Sequence, residues 1–190
     1  MHRFYLLLCA VLLTAAPLQS HAGLGIDFGI WKPSSLDHYP SQPLKNVDGA
    51  APYLGGSILL PFYKSHIFRA TLMQWQQKES QPGVAAVTLR QLGLDFKYLL
   101  LPQNSISPYA CYGVSAFWSR ELPKGAEGAA VPLDRAGWGF GVGTGIDFML
   151  QQRWVLGIEY QYLYAKFSKP VGATDNYSGP RFTLRFFVLF

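Results

Sequence analysis

The sequence predicts an all-β protein, an eight-stranded antiparallel up-and-down β-barrel that crosses a membrane. Three observations carry that reading. Bulky apolar side chains alternate with small or polar ones at period two through much of the chain. The chain is 49% apolar and 15% aromatic, yet past residue 22 no stretch holds the ~20 uninterrupted apolar residues of a transmembrane helix. The connections between the predicted strands alternate between long and short, as they do when one barrel end faces outside and the other a periplasm.

The chain opens on a signal peptide. His2 and Arg3 form a basic start, Phe4 to Leu13 is an apolar run too short to span a membrane, and Pro17 breaks it. Ser20-His21-Ala22 supplies small residues where a peptidase reads, so cleavage is expected after Ala22, with residues 23–190 forming the barrel. Cys9 lacks the small preceding residue of a lipoprotein site, because Leu8 stands there.

The strands follow in order. In residues 24–31, Leu24, Ile26, Phe28 and Ile30 share one face, and Gly25, Asp27 and Gly29 the other. Three less regular strands are read at about 53–60, 67–76 and 109–119. In 86–100, Leu92, Leu94, Phe96, Tyr98 and Leu100 oppose Gln91, Gly93, Asp95 and Lys97. The clearest strand is 137–148, where Gly137, Gly139, Gly141, Gly143, Gly145 and Asp147 oppose Trp138, Phe140, Val142, Thr144, Ile146 and Phe148. In 154–164, Trp154, Leu156, Ile158, Tyr160, Tyr162 and Tyr164 oppose Gly157, Glu159 and Gln161. The last strand sets Phe182, Leu184, Phe186, Val188 and Phe190 against Arg181, Thr183 and Arg185.

The apolar face is read as meeting lipid and the small, polar face as filling the lumen. Aromatics near strand ends support this as interfacial girdles, with Trp118, Trp138 and Tyr164 toward one end and Phe148, Trp154 and Phe190 toward the other. Glycines on the inner face let the strands bend and close. The long connections are expected at 32–51, 77–85, 120–135 and 167–178, and the tight turns at 61–66, 101–108 and 151–153. An even strand count puts both ends of the barrel chain on the periplasmic side. These features together place the chain in a bacterial outer membrane.

Charge and cysteine exclude other classes. The formal net charge is +5, and loss of residues 1–22 removes only Arg3, without a run of Lys or Arg that could follow a phosphate backbone. Nucleic acid is therefore not expected as a partner. Cys111 is the one cysteine left after cleavage, so no internal disulfide is expected, and it reads as a small half-buried side chain.

The run Gly137-Trp138-Gly139-Phe140-Gly141-Val142-Gly143-Thr144-Gly145-Ile146-Asp147, then Trp154-Val155-Leu156-Gly157-Ile158-Glu159-Tyr160-Gln161-Tyr162, then an apolar strand ending in Phe190, resembles the OmpA/opacity-type outer-membrane β-barrel family. Gly25-Ile26-Asp27-Phe28-Gly29 fits it too. The resemblance covers the barrel alone, with no peptidoglycan-binding segment. It implies assembly by the outer-membrane insertion machinery, which reads a last strand of the kind formed by Phe182, Leu184, Phe186 and Phe190. It specifies architecture, and it does not specify an activity.

No catalytic, metal or cofactor site is read from the residues. His38 falls in the first outer loop and His66 in the first periplasmic turn, roughly 25 Å or more apart, so they cannot share a metal or a triad. Residues 160–168 hold Ser168 but lack the histidine that lipid A deacylases carry there, which argues against a lipid-modifying enzyme. The candidate site is instead a lumen charge network of Asp27, Arg69, Asp95, Lys97, Asp147, Glu159, Arg181 and Arg185. Arg185 is expected to bridge Asp27 and Glu159, as a plug or as a gate over a narrow leak. The function expected is that of a monomeric structural or surface-interaction barrel. Lys45, Lys78, Arg120, Lys124, Arg135, Lys166 and Lys169 lie in or near its outer loops, toward lipopolysaccharide phosphates, a surface or a partner protein. A narrow pore for small solutes is the alternative.

Overall fold

A computed structural model gives the chain's architecture and describes residues 22–36, 50–63, 65–81, 84–102, 104–123, 133–150, 153–172 and 174–190. The expected signal peptide before residue 22 and His38 in the first outer loop lie outside these residues. The described residues form nine strands: β1 Gly23–Trp31, β2 Ala51–Tyr63, β3 His66–Gln81, β4 Val84–Leu99, β5 Ile106–Pro123, β6 Leu133–Leu150, β7 Trp154–Val171, β8 Thr174–Asn176 and β9 Gly179–Leu189. Every adjacent pair is antiparallel, in the order β6-β5-β4-β3-β2-β1-β9-β7-β8, and a β6–β7 pairing closes the circle. Eight strands form the wall; the three-residue β8 continues the last of them, because Lys166–Asn176 on β7 and β8 keeps the register of Leu163–Gly179 on β7 and β9. No described helix is long and apolar enough to cross a membrane.

Closure follows from the register. One circuit of paired residues runs Tyr164, Phe140, Val114, Leu94, Ala70, Ile58, Leu24, Val188, Trp154. The circuit returns to β7 ten residues below its start, which is the stagger of a tilted eight-stranded barrel, with a tilt of about 40°. Allowing for that stagger, Trp118, Trp138 and Tyr164 fall at one height, and Phe148, Trp154 and Phe190 at another about 25 Å below, the thickness of an apolar barrel band. No backbone edge is left open to lipid.

The outer strand ends differ from expectation. Residues 77–85, read as a loop, are largely strand, since β3 runs to Gln81 and β4 starts at Val84. β5 continues five residues past Trp118, to Pro123, and β7 seven past Tyr164, to Val171. The outer aromatics therefore sit inside their strands and not at the ends. Beyond the lipid both faces can be polar, so the alternation fades while the backbone ladder continues. On the other side β5 begins at Ile106, inside the expected turn.

The interior also differs. The lumen was expected to be small and polar throughout, but its outer half is an apolar core. Trp31, Trp75, Phe117, Phe167 and Tyr177 pack there, with Leu36, Met73 and Leu89. Trp31 stacks on Phe117 at 6.0 Å and meets Trp75 edge-on at 5.6 Å, and Phe167 meets Tyr177 at 5.5 Å. A short 3-10 turn at Ser34–Leu36 lays Leu36 over this cluster, and the Ser34 N–H donates to the Ser178 carbonyl at 2.8 Å. A second apolar patch of Leu59, Val155 and Phe187 lies toward the periplasmic end, beside a cavity bordered by Leu59, Val155, Asp147 and Met149.

The glycines of β6 make room for these side chains. A Cβ on Gly139 would stand 2.6 Å from the Phe117 ring, and one on Gly141 2.9 Å from the Gln161 side-chain carbon. Gly145 faces Tyr109 in the same way. The bare face of β6 is thus the counterpart of bulky residues on its neighbours.

Candidate functional site

Between the two apolar layers lies a charged layer. The backbone alternation turns Asp27, Arg69, Asp95, Lys97, Glu159, Arg181 and Arg185 inward, where they are buried, and leaves Asp147 half-buried toward the periplasmic mouth. These side chains carry four positive and four negative charges. Balance is what a water-poor mid-membrane environment demands, because an unpaired ion there costs several kcal/mol.

Glu159 is the hub. It accepts from Arg69 Nη1 at 2.8 Å and Nη2 at 3.3 Å, from the Tyr109 hydroxyl at 3.1 Å, and it pairs with Arg185. Arg69 also donates to Asp95, from Nε at 3.1 Å and Nη2 at 2.8 Å. Arg185 Nε reaches Asp27 Oδ1 at 3.1 Å, and Ser57 donates to Asp27 Oδ2. Arg185 thus lies between Asp27 and Glu159. Arg69–Asp95 and Asp27–Arg185 are direct cross-strand neighbours, whereas the Arg69–Glu159 contact spans the lumen from β3 to β7.

The other charges join from either side. Lys97 pairs with Asp147, and its Nζ sits 3.7 Å from the centre of the Tyr109 ring. Among the described residues Arg181 meets no carboxylate and instead donates to the amide oxygens of Gln91, at 2.7 Å, and Gln161. Tyr109, Ser57, Gln91 and Gln161 were not singled out from the sequence as members of this network, although their strand parity marks them as inward-facing.

This layer is built to hold charge still. Each of its four carboxylates faces a cation, and Cys111, expected to be half-buried, is fully buried on the same wall. Among the described residues no group of three His, Cys, Asp or Glu side chains could hold a metal ion. His66, expected at the surface of a turn, is the first residue of β3 and is half-buried, 5.0 Å from the Tyr98 ring.

The outer wall carries the remaining candidates. Trp118, Trp138, Tyr164, Trp154 and Phe190 are exposed toward lipid, and Phe148 is half-buried. Trp138 packs on Tyr164 at 5.6 Å, and Trp154 stacks on Phe186 at 5.0 Å. Phe182, Leu184 and Phe186 share that face, and β9 pairs with β1 down to Leu189 opposite Gly23, which registers the strand end. Of the basic outer residues, Arg120, Lys166 and Lys169 are exposed. Arg135 pairs opposite inward-facing Ser119, so it belongs to the inner rim and not to the outer surface. Lys45, Lys124 and the side chain of Lys78 lie outside the described residues.

Residues 5–190 match the outer membrane protein beta-barrel domain. The chain belongs to that family. Among solved structures, it is similar to Neisserial surface protein A, with a TM-score of 0.68 at 16% identity over 90% of this chain and 98% of that one. OprG of Pseudomonas aeruginosa follows at 0.56 and 14%, covering 90% and 93%. Ail, the attachment invasion locus protein of Yersinia pestis, gives 0.50 and 13%, covering 90% and 97%. At these identities the likeness speaks to the fold. No curated relative matches the sequence. The chain is a small barrel of the bacterial outer membrane.

Proposed function

We propose that this chain is a sealed barrel that acts through its outer surface, with a structural or surface-interaction role. The observation that carries the reading is the filling of the lumen in series. The Arg69–Glu159 pair spans the middle, and the Trp31, Trp75 and Phe117 rings cover it on the outer side. Water and small solutes would have to displace both. What the barrel can vary without losing that filling is its outer face, where β5 and β7 continue well past the aromatic level.

Two further features support an outward role. The described outer wall carries exposed cations at the level of the aromatic ring, suited to lipid phosphates, a surface or a protein partner. Ail has been crystallised in complex with the heparin analogue sucrose octasulfate, an anionic ligand. That complex makes polyanions a natural first class of ligand to test here. Each of the four carboxylates of the charged layer is paired with a cation, which weighs against a lipid-modifying reaction at that layer. Assembly through the outer-membrane insertion machinery, with Phe182, Leu184, Phe186 and Phe190 as the strand it reads, is part of the same proposal, as is a monomeric state.

Osmotic swelling of proteoliposomes tests the reading. Vesicles holding the folded protein should swell in small sugars no faster than protein-free vesicles. Swelling whose rate rises with protein content would support the narrow-pore alternative and remove this one.

A further inference from the structure

The lipid-facing wall changes character abruptly at the height of the outer aromatics. Below that height it presents Leu72, Leu92 and Leu94, all exposed and apolar. At and just above it a recess opens across β3 to β6, whose outward polar lining is Gln74, Gln76, Thr88, Arg90, Arg120 and Asp134, with Ser119 and Arg135 reaching it from the inner rim. Trp118 forms its aromatic floor.

The register places the two arginines side by side. Arg90 pairs opposite Trp118, and Thr88 opposite Arg120, so Arg90 and Arg120 are diagonal neighbours on adjacent strands. Such neighbours stand about 7–8 Å apart at the backbone, a spacing two guanidinium groups can close around one phosphate. Both are exposed, and neither has a carboxylate partner among the described residues. Arg90 Nε donates to Gln74 Oε1 at 3.1 Å, which orients the group and leaves its other N–H groups free to face outward. The one acid of the recess, Asp134, pairs opposite Arg120 in register without forming an ion pair. Lys166, opposite Trp138, adds a further exposed cation along the same wall. Elsewhere around the barrel the outward strand positions near this height are Pro52, Ile30 and Pro180, all uncharged, with half-buried Lys32 following β1.

We propose that this recess binds the phosphate of a phosphorylated outer-leaflet glycolipid. Its phosphate would sit between Arg90 and Arg120, its sugar against Trp118, and its acyl chains along Leu72 and Leu92. One amphipathic molecule matches the whole surface, charge above and hydrocarbon below, at the height where a headgroup meets its chains. A water-soluble protein would engage the arginines but would have no access to the leucines beneath them. The inference rests on the reading of the chain as a sealed barrel acting through its outer surface.

The test is retention of lipid by the folded full-length protein in detergent, read by native mass spectrometry. The probes are bisphosphorylated lipid A, the same lipid A with its phosphates removed by phosphatase, and inorganic phosphate. The wild type should hold the phosphorylated lipid about tenfold or more over the dephosphorylated one, the size expected of two surface cations. Inorganic phosphate at equal concentration should not displace it. Arg90→Gln with Arg120→Gln should lose that preference, and Arg153→Gln at the periplasmic end should keep it. Equal retention of the two lipids by the wild type overturns the proposal whatever the variants do. An unchanged preference in the double variant, shown to be folded by its heat-modifiable migration, also overturns it. Swelling assays on the same preparations report separately on the sealed barrel, so failure of one is distinguishable from failure of the other.

Discussion

Arg69 and Glu159 meet across the full width of the lumen, with Nη1 2.8 Å from Oε2, although their strands are not neighbours in the sheet. The contact ties opposite walls of the barrel together at mid-depth. Removing Glu159 leaves Arg69 with Asp95 and Arg185 with Asp27, but the buried layer then holds one cation more than it has carboxylates. Glu159→Gln should therefore cost about 3–5 kcal/mol of folding free energy, measured by urea titration of the barrel in lipid vesicles. Arg69→Met with Glu159→Gln together should cost less than the two single changes added, because the layer then holds equal numbers of cations and carboxylates again.

Arg185 distinguishes a plug from a gate. It pairs with both Asp27 and Glu159, and above it the aromatic cluster still covers the lumen. Arg185→Ala should lower stability by several kcal/mol and leave conductance at the bilayer baseline. A rise in single-channel conductance at unchanged stability would identify a gate instead.

The bare face of β6 predicts a contrast between two glycines. A methyl group on Gly139 would stand 2.6 Å from Phe117 and 2.5 Å from the Tyr164 carbonyl, whereas one on Gly56 meets nothing closer than 3.5 Å. Gly139→Ala should cost about 1–3 kcal/mol by overpacking. Gly56→Ala should be neutral or slightly stabilising. Urea midpoints of the two variants check this directly.

Depth in the membrane predicts a second contrast. Leu94 stands midway between the two aromatic levels on the lipid face, and Gln76 at the outer level. Leu94→Arg should cost about 2–4 kcal/mol and Gln76→Arg about 0–1 kcal/mol. Equal costs in vesicles would contradict the placement of the apolar band.

Some of this was legible from residue order. In 137–148 parity alone separates the inner face from the outer, because a strand sorts its side chains without reference to any partner. The same parity turned Asp27, Glu159 and Arg185 inward, and counting along the strands put them at similar depth. What residue order does not carry is the stagger that brings Arg69 on β3 to Glu159 on β7, since that depends on closure of the whole circle.

The inner aromatic layer was obscured for a different reason. β3 and β5 looked irregular because Met73, Trp75 and Phe117 add bulk to the inner face while Leu72, Val114 and Trp118 occupy the outer one. When both faces are bulky, period-two contrast vanishes although the strand is regular. The outer extensions were hidden because their outward face meets water and carries polar residues such as Arg120, Lys166 and Ser168, so it lacks the apolar contrast of a lipid-facing strand. The recess of Arg90 and Arg120 joins residues from separate strands, one of them read as a loop residue.

The sealed lumen is the centre of this account, and single-channel recording in a planar bilayer tests it most directly. The folded wild-type protein should give no conductance steps above the noise of the bare bilayer, because the charged layer and the Trp31–Phe117 layer block the path in series. Stable, uniform steps from the wild type would contradict it.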